Sequence, residues 1–186
     1  MITQFIPKAL VLDRDGTIIQ HIPYLSKPDE VKLLPGARNG LRKALDCGLR
    51  LFLHTNQSGV GRGLFSLSDA EACTSRMIEL LDIGERPFER ICTAPEHPDA
   101  PALYRKPSPL FANEIMRDYN YFSQDLCYIG DRGTDLATAK AACTQGAGVA
   151  TGLDNLVREL SDLGLSHYPV FSSLDLAVQQ ITGINK

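Results

Sequence analysis

The chain has 186 residues, and its 19 lysines and arginines against 22 aspartates and glutamates give a net charge of −3. Hydrophobic residues make up 44% and charged residues 22%, which is ordinary globular composition. A chain of this size buries about 70% of its unfolded surface, so a single domain over residues 1–186 with one substantial core is expected. The acidic balance disfavours a protein that holds nucleic acid through bulk charge. The cysteines Cys47, Cys73, Cys92, Cys127 and Cys143 are odd in number and form no Cys-x-x-Cys, so they read as free thiols of a reducing compartment. No segment reaches the roughly 20 apolar residues of a membrane span. Met1 to Lys8 lacks the features of a signal peptide, so the expected location is the cytoplasm.

Ala9 to Leu12 is a short apolar run that stops at Asp13, as a buried parallel strand does. Ala37 to Cys47 places Leu41 and Leu45 on one helical face, and Gly48 ends it. Leu51 to Leu53 reads as the next strand, and Ser68 as the N-cap of a helix running to Leu81. Phe88 to Thr93 is a strand candidate, Phe111 to Tyr119 a helix and Leu126 to Ile129 a strand. Thr134 to Ala142 is an Ala-rich helix, followed by a strand at Gly148 to Ala150. A helix at Asn155 to Leu163, a strand at Tyr168 to Phe171 and a helix at Leu174 to Ile181 complete the series. This alternation predicts an α/β fold, a Rossmann-like doubly wound parallel sheet.

Ligands of such sheets sit at the carboxyl ends of the strands. Those ends carry Asp13-Arg14-Asp15-Gly16-Thr17, His54-Thr55-Asn56-Gln57-Ser58-Gly59 and Gly130-Asp131-Arg132-Gly133-Thr134-Asp135, with Arg105-Lys106-Pro107 in a loop ahead of a helix. Asp13, Asp15 and Asp131 suit a hard cation such as Mg²⁺, which takes oxygen ligands. A cation and Lys106 would neutralise a phosphate enough for an anionic carboxylate to attack it. One of Asp13 and Asp15 can then act as nucleophile and the other as general acid, later activating water. Thr55, Asn56 and loop amides can cradle phosphoryl oxygens. Each residue alone has a plainer reading. A single Asp after a strand is ordinarily a turn residue, Asp131 and Asp135 suit a helix N-terminus, and Lys106 suits a solvated surface. Their conjunction, each at a strand end, favours chemistry.

Together, Asp13-Arg14-Asp15-Gly16-Thr17, Thr55, Lys106 and Gly130-Asp131…Asp135 resemble the four motifs of the haloacid dehalogenase-type phosphatases, in the usual order. His54 to Gly63 and Arg105-Lys106-Pro107 resemble the subgroup of the D,D-heptose 1,7-bisphosphate and histidinol-phosphate phosphatases. The resemblance implies that Asp13 is the nucleophile, forming an aspartyl-phosphate, and Asp15 the acid/base. It implies that Thr55 and Lys106 hold the phosphoryl group. It also implies Mg²⁺ bound by Asp13, the Asp15 carbonyl and Asp131, with Asp135 positioning the loop. Arg62 and Arg105 become candidate substrate contacts beside Asn56. His54 is expected to pack, not to transfer protons.

Members of this superfamily often carry a cap domain. Only 39 positions separate Asp15 from His54 and 50 separate Asn56 from Lys106, so a capless core with an open cleft is expected. Resembling phosphatases commonly hold zinc in the loop before Arg-Lys-Pro. Here Ala94 and Glu96 stand where the first pair of ligands would be, and Ala102 and Tyr104 replace the second pair. Cys92 and His97 supply at most two of the four ligands a structural zinc needs, so no zinc is expected. Pro95, Pro98 and Pro101 are expected to stiffen the loop instead. The expected activity is Mg²⁺-dependent hydrolysis of a small phosphorylated metabolite, foremost the 7-phosphate of D-glycero-D-manno-heptose 1,7-bisphosphate. Histidinol phosphate and nucleic-acid 3′-phosphates are the alternatives, nucleic acid being disfavoured by the net charge. A binding module that kept the fold without catalysis is a further reading, opposed by the complete residue set.

Overall fold

In a computed structural model of the chain, residues 5–152 and 155–183 are described. Residues 1–4 of the N-terminal stretch read above lie outside them. In chain order the elements are β1 (Ala9–Leu12), α1 (Ala37–Asp46), β2 (Arg50–Asn56), α2 (Ser58–Gly61), α3 (Leu67–Leu81) and β3 (Phe88–Ala94). They continue with α4 (Leu110–Tyr119), β4 (Leu126–Gly130), α5 (Gly133–Ala141), β5 (Gln145–Val149), α6 (Leu156–Asp162), β6 (Val170–Phe171) and α7 (Leu174–Thr182). The six strands are parallel and lie in the order β3-β2-β1-β4-β5-β6, the doubly wound arrangement expected.

Side chains alternate across a strand, so even a fully buried strand feeds two cores. Leu10 and Leu12 of β1 join Leu51 and Leu53 of β2 on one face, beneath Leu41 of α1, Met77 of α3 and Val178 of α7. Ala9 and Val11 face the other way with Phe52 and Tyr128, against Phe111 and Ile115 of α4. Each fully buried Leu, Ile or Phe contributes about 2 kcal/mol relative to exposure. A smaller cluster, Leu136, Leu156, Leu160 and Leu165, seats α6 on α5.

Several boundaries differ from expectation, among them β5, which spans Gln145–Val149 and not Gly148 to Ala150, and β6, which starts at Val170 and not at Tyr168. The α3 N-cap is Ser66, not Ser68: Ser66 Oγ accepts from the Asp69 N–H at 3.1 Å, and the Asp69 carboxylate accepts from the Ser66 N–H at 2.8 Å. That reciprocal pair satisfies two helix-end groups at once, which Ser68 cannot do from inside the first turn. Strand β2 extends to Asn56, because His54, Thr55 and Asn56 pair in register with Cys92, Thr93 and Ala94 of β3. Among the described residues, no helix is long and apolar enough to cross a membrane. Neither the segment from β1 to α1 nor that from β3 to α4 holds a separate folded cap, only a 3-10 turn at Pro28–Glu30 and isolated bridges at Ile19.

Candidate active site

The sheet reverses its winding between β1 and its neighbours, and the crevice opens there. The pairing of Leu12 with Ile129 brings the residues after β1 level with those after β4, so Asp13 and Asp131 emerge side by side. Ligand oxygens of Asp13, Asp131 and Asp135 all lie within 4.8 Å of one another. Lys106, from the loop ahead of α4, reaches between them. Its Nζ donates to Asp13 Oδ1 at 2.7 Å and to Asp135 Oδ1 at 2.5 Å. Burial alone would pull the Lys106 pKa down, but Asp13 and Asp135 together hold it above its usual value. The ammonium is therefore a fixed positive charge.

Asp13 is pushed up to about 6, first by burial and then by the Asp135 and Asp15 charges, against the pull of Lys106. Asp131 is pushed up to about 8 by burial and the neighbouring Asp13 and Asp135 carboxylates. Both Asp131 oxygens are buried without a hydrogen-bond partner, a costly arrangement unless something positive meets them. Gly16, at φ 82°, and Gly152 line the other side, where any Cβ would run into the Asp131 carboxylate. By contrast, Asp135 has both oxygens engaged, Oδ1 with Lys106 and Oδ2 with the Arg132 N–H at 3.0 Å. The donor set and the two orphaned oxygens fit a small divalent cation bound by Asp131 and Asp13.

Asp15 turns away from this group into its own set of bonds. Its carboxylate accepts from Arg14 Nε at 3.0 Å, from Gln57 Nε2 at 2.9 Å and from Thr55 Oγ1 at 3.5 Å. Arg14 continues the Leu10–Leu12 face of β1 and, among the described residues, is the largest fully buried side chain. Its guanidinium also donates to Ala70 O at 2.9 Å and Thr74 Oγ1 at 3.0 Å, both on α3. The Asp15 carboxylate is thus held by the sheet and by α3 together. Neither Arg14 nor Gln57 has a role of its own in the sequence motifs above. Strand alternation carried one step past Leu12 would have aimed Arg14 at the helix face.

Thr55 is buried and bonded to Asp15 and Gln57, and does not line the cleft. The structure brings Asn56 and Arg105 to a cleft of about 250 Å³ whose floor is Asp13, Lys106 and Asp131. An adjoining cavity of about 330 Å³ shares Asp15, His21, Asn56, Ser58 and Arg132 with it and ends on Ile22, Pro23, Tyr24 and Phe65. His21 and Arg132 were not singled out as site residues. Arg62, read as a candidate contact, caps the exposed end of α2 and lines neither cavity. The short α2 helix turns the chain outward before Arg62 is reached.

His54 is wholly buried, with Nδ1 3.1 Å from Tyr128 OH and Nε2 2.8 Å from Tyr104 O. Burial, with the Lys106 charge nearby, lowers its pKa to about 3, so the ring stays neutral. In the loop, Glu96 Oε1 accepts from the N–H groups of Tyr104 at 2.7 Å and Arg105 at 3.1 Å. Among the described residues, Asp13, Asp131 and Asp135 form the single set of three His, Cys, Asp or Glu side chains placed to share an ion.

The HAD-hydrolase-like family model matches residues 103–175. The D-glycero-D-manno-heptose-1,7-bisphosphate 7-phosphatase of Chlorobaculum tepidum is 34% identical over 157 residues, 77% of this chain and 76% of that protein. The D-glycero-beta-D-manno-heptose-1,7-bisphosphate 7-phosphatase of Bordetella bronchiseptica is 33% identical over 138 residues, 73% of this chain and 77% of that protein. The crystal structure of D,D-heptose 1,7-bisphosphate phosphatase from B. bronchiseptica, complexed with magnesium and phosphate, superposes with a TM-score of 0.84 at 29% identity. That superposition covers 94% of this chain and 98% of the other. This chain therefore belongs to the haloacid dehalogenase-type phosphatases, in the subgroup of the D,D-heptose 1,7-bisphosphate phosphatases.

Proposed function

We propose that this phosphatase hydrolyses the 7-phosphate of D-glycero-D-manno-heptose 1,7-bisphosphate through an aspartyl-phosphate on Asp13. The observation that carries the reading is the buried Asp13–Lys106 pair set against two unpartnered Asp131 oxygens. It leaves one carboxylate beside a fixed ammonium and another able to accept a cation. Asp13, Asp131 and the Asp15 carbonyl would hold Mg²⁺, which would supply charge neutralisation at the phosphoryl oxygens. Lys106 adds its own positive charge to that neutralisation.

Asp13 attacks phosphorus, forming the acyl-phosphate bond as the P–O bond to the sugar breaks. Asp15 gives its proton to the departing sugar oxygen. In the second half it takes a proton from water, which attacks phosphorus and releases phosphate while regenerating the Asp13 carboxylate. Arg14, Gln57 and Thr55 orient Asp15 for both transfers. Asn56 and Arg105 bind the substrate at the cleft wall, and the adjoining cavity, with Tyr24 and Phe65, receives the sugar body. No structural zinc is proposed, because Glu96 bonds backbone amides where a ligand would stand. The cytoplasm is the proposed compartment, supported by five free thiols.

The test is phosphate release from heptose 1,7-bisphosphate, histidinol phosphate and a 3′-phosphorylated oligonucleotide, each with and without Mg²⁺. Turnover of the heptose ester alone, only with Mg²⁺, is expected. Preference for either other substrate overturns the assignment, and stoichiometric zinc by elemental analysis overturns the metal reading of the loop.

A further inference from the structure

The backbone of Tyr104-Arg105-Lys106 is gripped on both edges by three side chains from elsewhere in the chain. Glu96 Oε1 accepts from the Tyr104 N–H at 2.7 Å and the Arg105 N–H at 3.1 Å. His54 Nε2 lies 2.8 Å from the Tyr104 carbonyl oxygen. The Asn56 side-chain amide closes a two-bond ring on residue 106, with its Oδ1 accepting from the Lys106 N–H at 2.9 Å and its Nδ2 donating to the Lys106 carbonyl at 3.1 Å. His54 and Asn56 come from the end of β2, paired in register with β3. Glu96 lies just past β3 and is the one member on a loop.

We propose that Glu96 is a positioning residue. Its carboxylate closes the 96–105 loop onto its own backbone and thereby aims Arg105 into the cleft and Lys106 between Asp13 and Asp135. The role rests on the proposed functions of Arg105 and Lys106.

Three features favour positioning over a surface bond. First, the contacts are to amides, so the bond fixes the chain immediately before Lys106 whatever the side chains do. Backbone amides are strong, directional donors to a carboxylate, and such charge-assisted bonds are about twice as strong as neutral ones. Second, Glu96 itself is held from behind. A Cβ at Gly61 of α2 would run into Pro95 O, His97 N and the Glu96 carbonyl carbon, so the loop lies directly on the α2 backbone. Third, the carboxyl stays ionised. Burial would raise its pKa, but the amides of Glu96, Tyr104, Arg105 and Leu103 bring it below the usual carboxylate value. The loop prolines limit the chain's freedom, while Glu96 sets its direction.

The experiment compares Glu96→Ala and Glu96→Gln with the wild-type protein in two measurements. Amide hydrogen exchange reports the clamp directly. The Tyr104 and Arg105 amides are expected to exchange about tenfold or more faster in Glu96→Ala, with the β1 and β4 amides unchanged. Phosphate release from heptose 1,7-bisphosphate reports the consequence, with kcat/KM expected to fall by about tenfold or more in Glu96→Ala. Glu96→Gln keeps an acceptor oxygen and is expected to stay within about threefold of wild type in kcat/KM. Unchanged exchange at Tyr104 and Arg105 overturns the clamp whatever the substrate is, and so does a Glu96→Gln protein as impaired as Glu96→Ala. Faster exchange with undiminished kcat/KM overturns the positioning role. A wild-type protein inactive on the heptose ester overturns the proposed substrate instead, and the exchange measurement still decides the clamp.

Discussion

Lys106 Nζ and Asp13 Oδ1 meet at 2.7 Å although 93 positions separate them in the chain, and both side chains are almost wholly buried. The same ammonium bridges to Asp135, so one positive charge offsets two buried carboxylates. Removing one partner of such a group leaves uncompensated charge, which is far costlier than the pair's net contribution. Lys106→Met is therefore predicted to lower stability by about 3 kcal/mol in urea titrations of the metal-free protein. It is also predicted to lower kcat by at least about 100-fold.

The unpartnered Asp131 oxygens make a metal prediction that needs no substrate. Millimolar Mg²⁺ should raise the melting temperature of the wild-type protein, since a ligand at a hundred times its Kd stabilises by about 3 kcal/mol. Asp131→Asn should abolish that rise. It should not destabilise the metal-free protein, because it removes a charge that burial disfavours. A full Mg²⁺ shift in the variant would move the cation elsewhere.

Gln57 Nε2 bonds both Asp15 at 2.9 Å and Thr55 at 2.8 Å. Gln57→Leu keeps the volume and removes the donor. Steady-state kinetics should show kcat reduced by about tenfold or more with KM little changed, since Asp15 orientation matters in the transfer and not in binding. A KM effect alone would place Gln57 among the substrate contacts.

His54 gives a signed pH prediction. Its folded pKa of about 3 lies below the unfolded value of 6.5, so the unfolded chain binds the proton first. The resulting stability is complete above pH 6.5 and is lost as pH falls from there toward 3. Between pH 7.5 and pH 5, wild type should lose about 2 kcal/mol more than His54→Gln in paired urea titrations. Equal losses would mean that the ring is not held neutral.

Much of this was legible in the residues themselves. The apolar runs at β1 and β4 and the Asp13 and Asp131 motifs are legible because strand ends converge in a doubly wound sheet whatever the details of packing. What escaped depended on contacts between distant positions. Arg14 looks like a spacer until α3 is laid over it, since its partners Ala70 and Thr74 are 56 and 60 positions away. Glu96 reads as a missing metal ligand, and its bonds to backbone amides leave no side-chain pattern in the sequence. Ser66 and Ser68 stand at the start of the same helical run, and only the reciprocal Asp69 bonds separate them. Arg62 shares a motif with Asn56, yet one turn of helix carries it out of the cleft.

The Asp13 carboxylate is the proposed nucleophile of this phosphatase. The most direct test is phosphate release from heptose 1,7-bisphosphate by Asp13→Asn beside the wild-type protein, at saturating Mg²⁺. The wild type is expected to release one phosphate per substrate, and the variant, folded but lacking the anionic oxygen, to lose turnover by about 1,000-fold or more. Turnover by Asp13→Asn equal to the wild type would contradict that role.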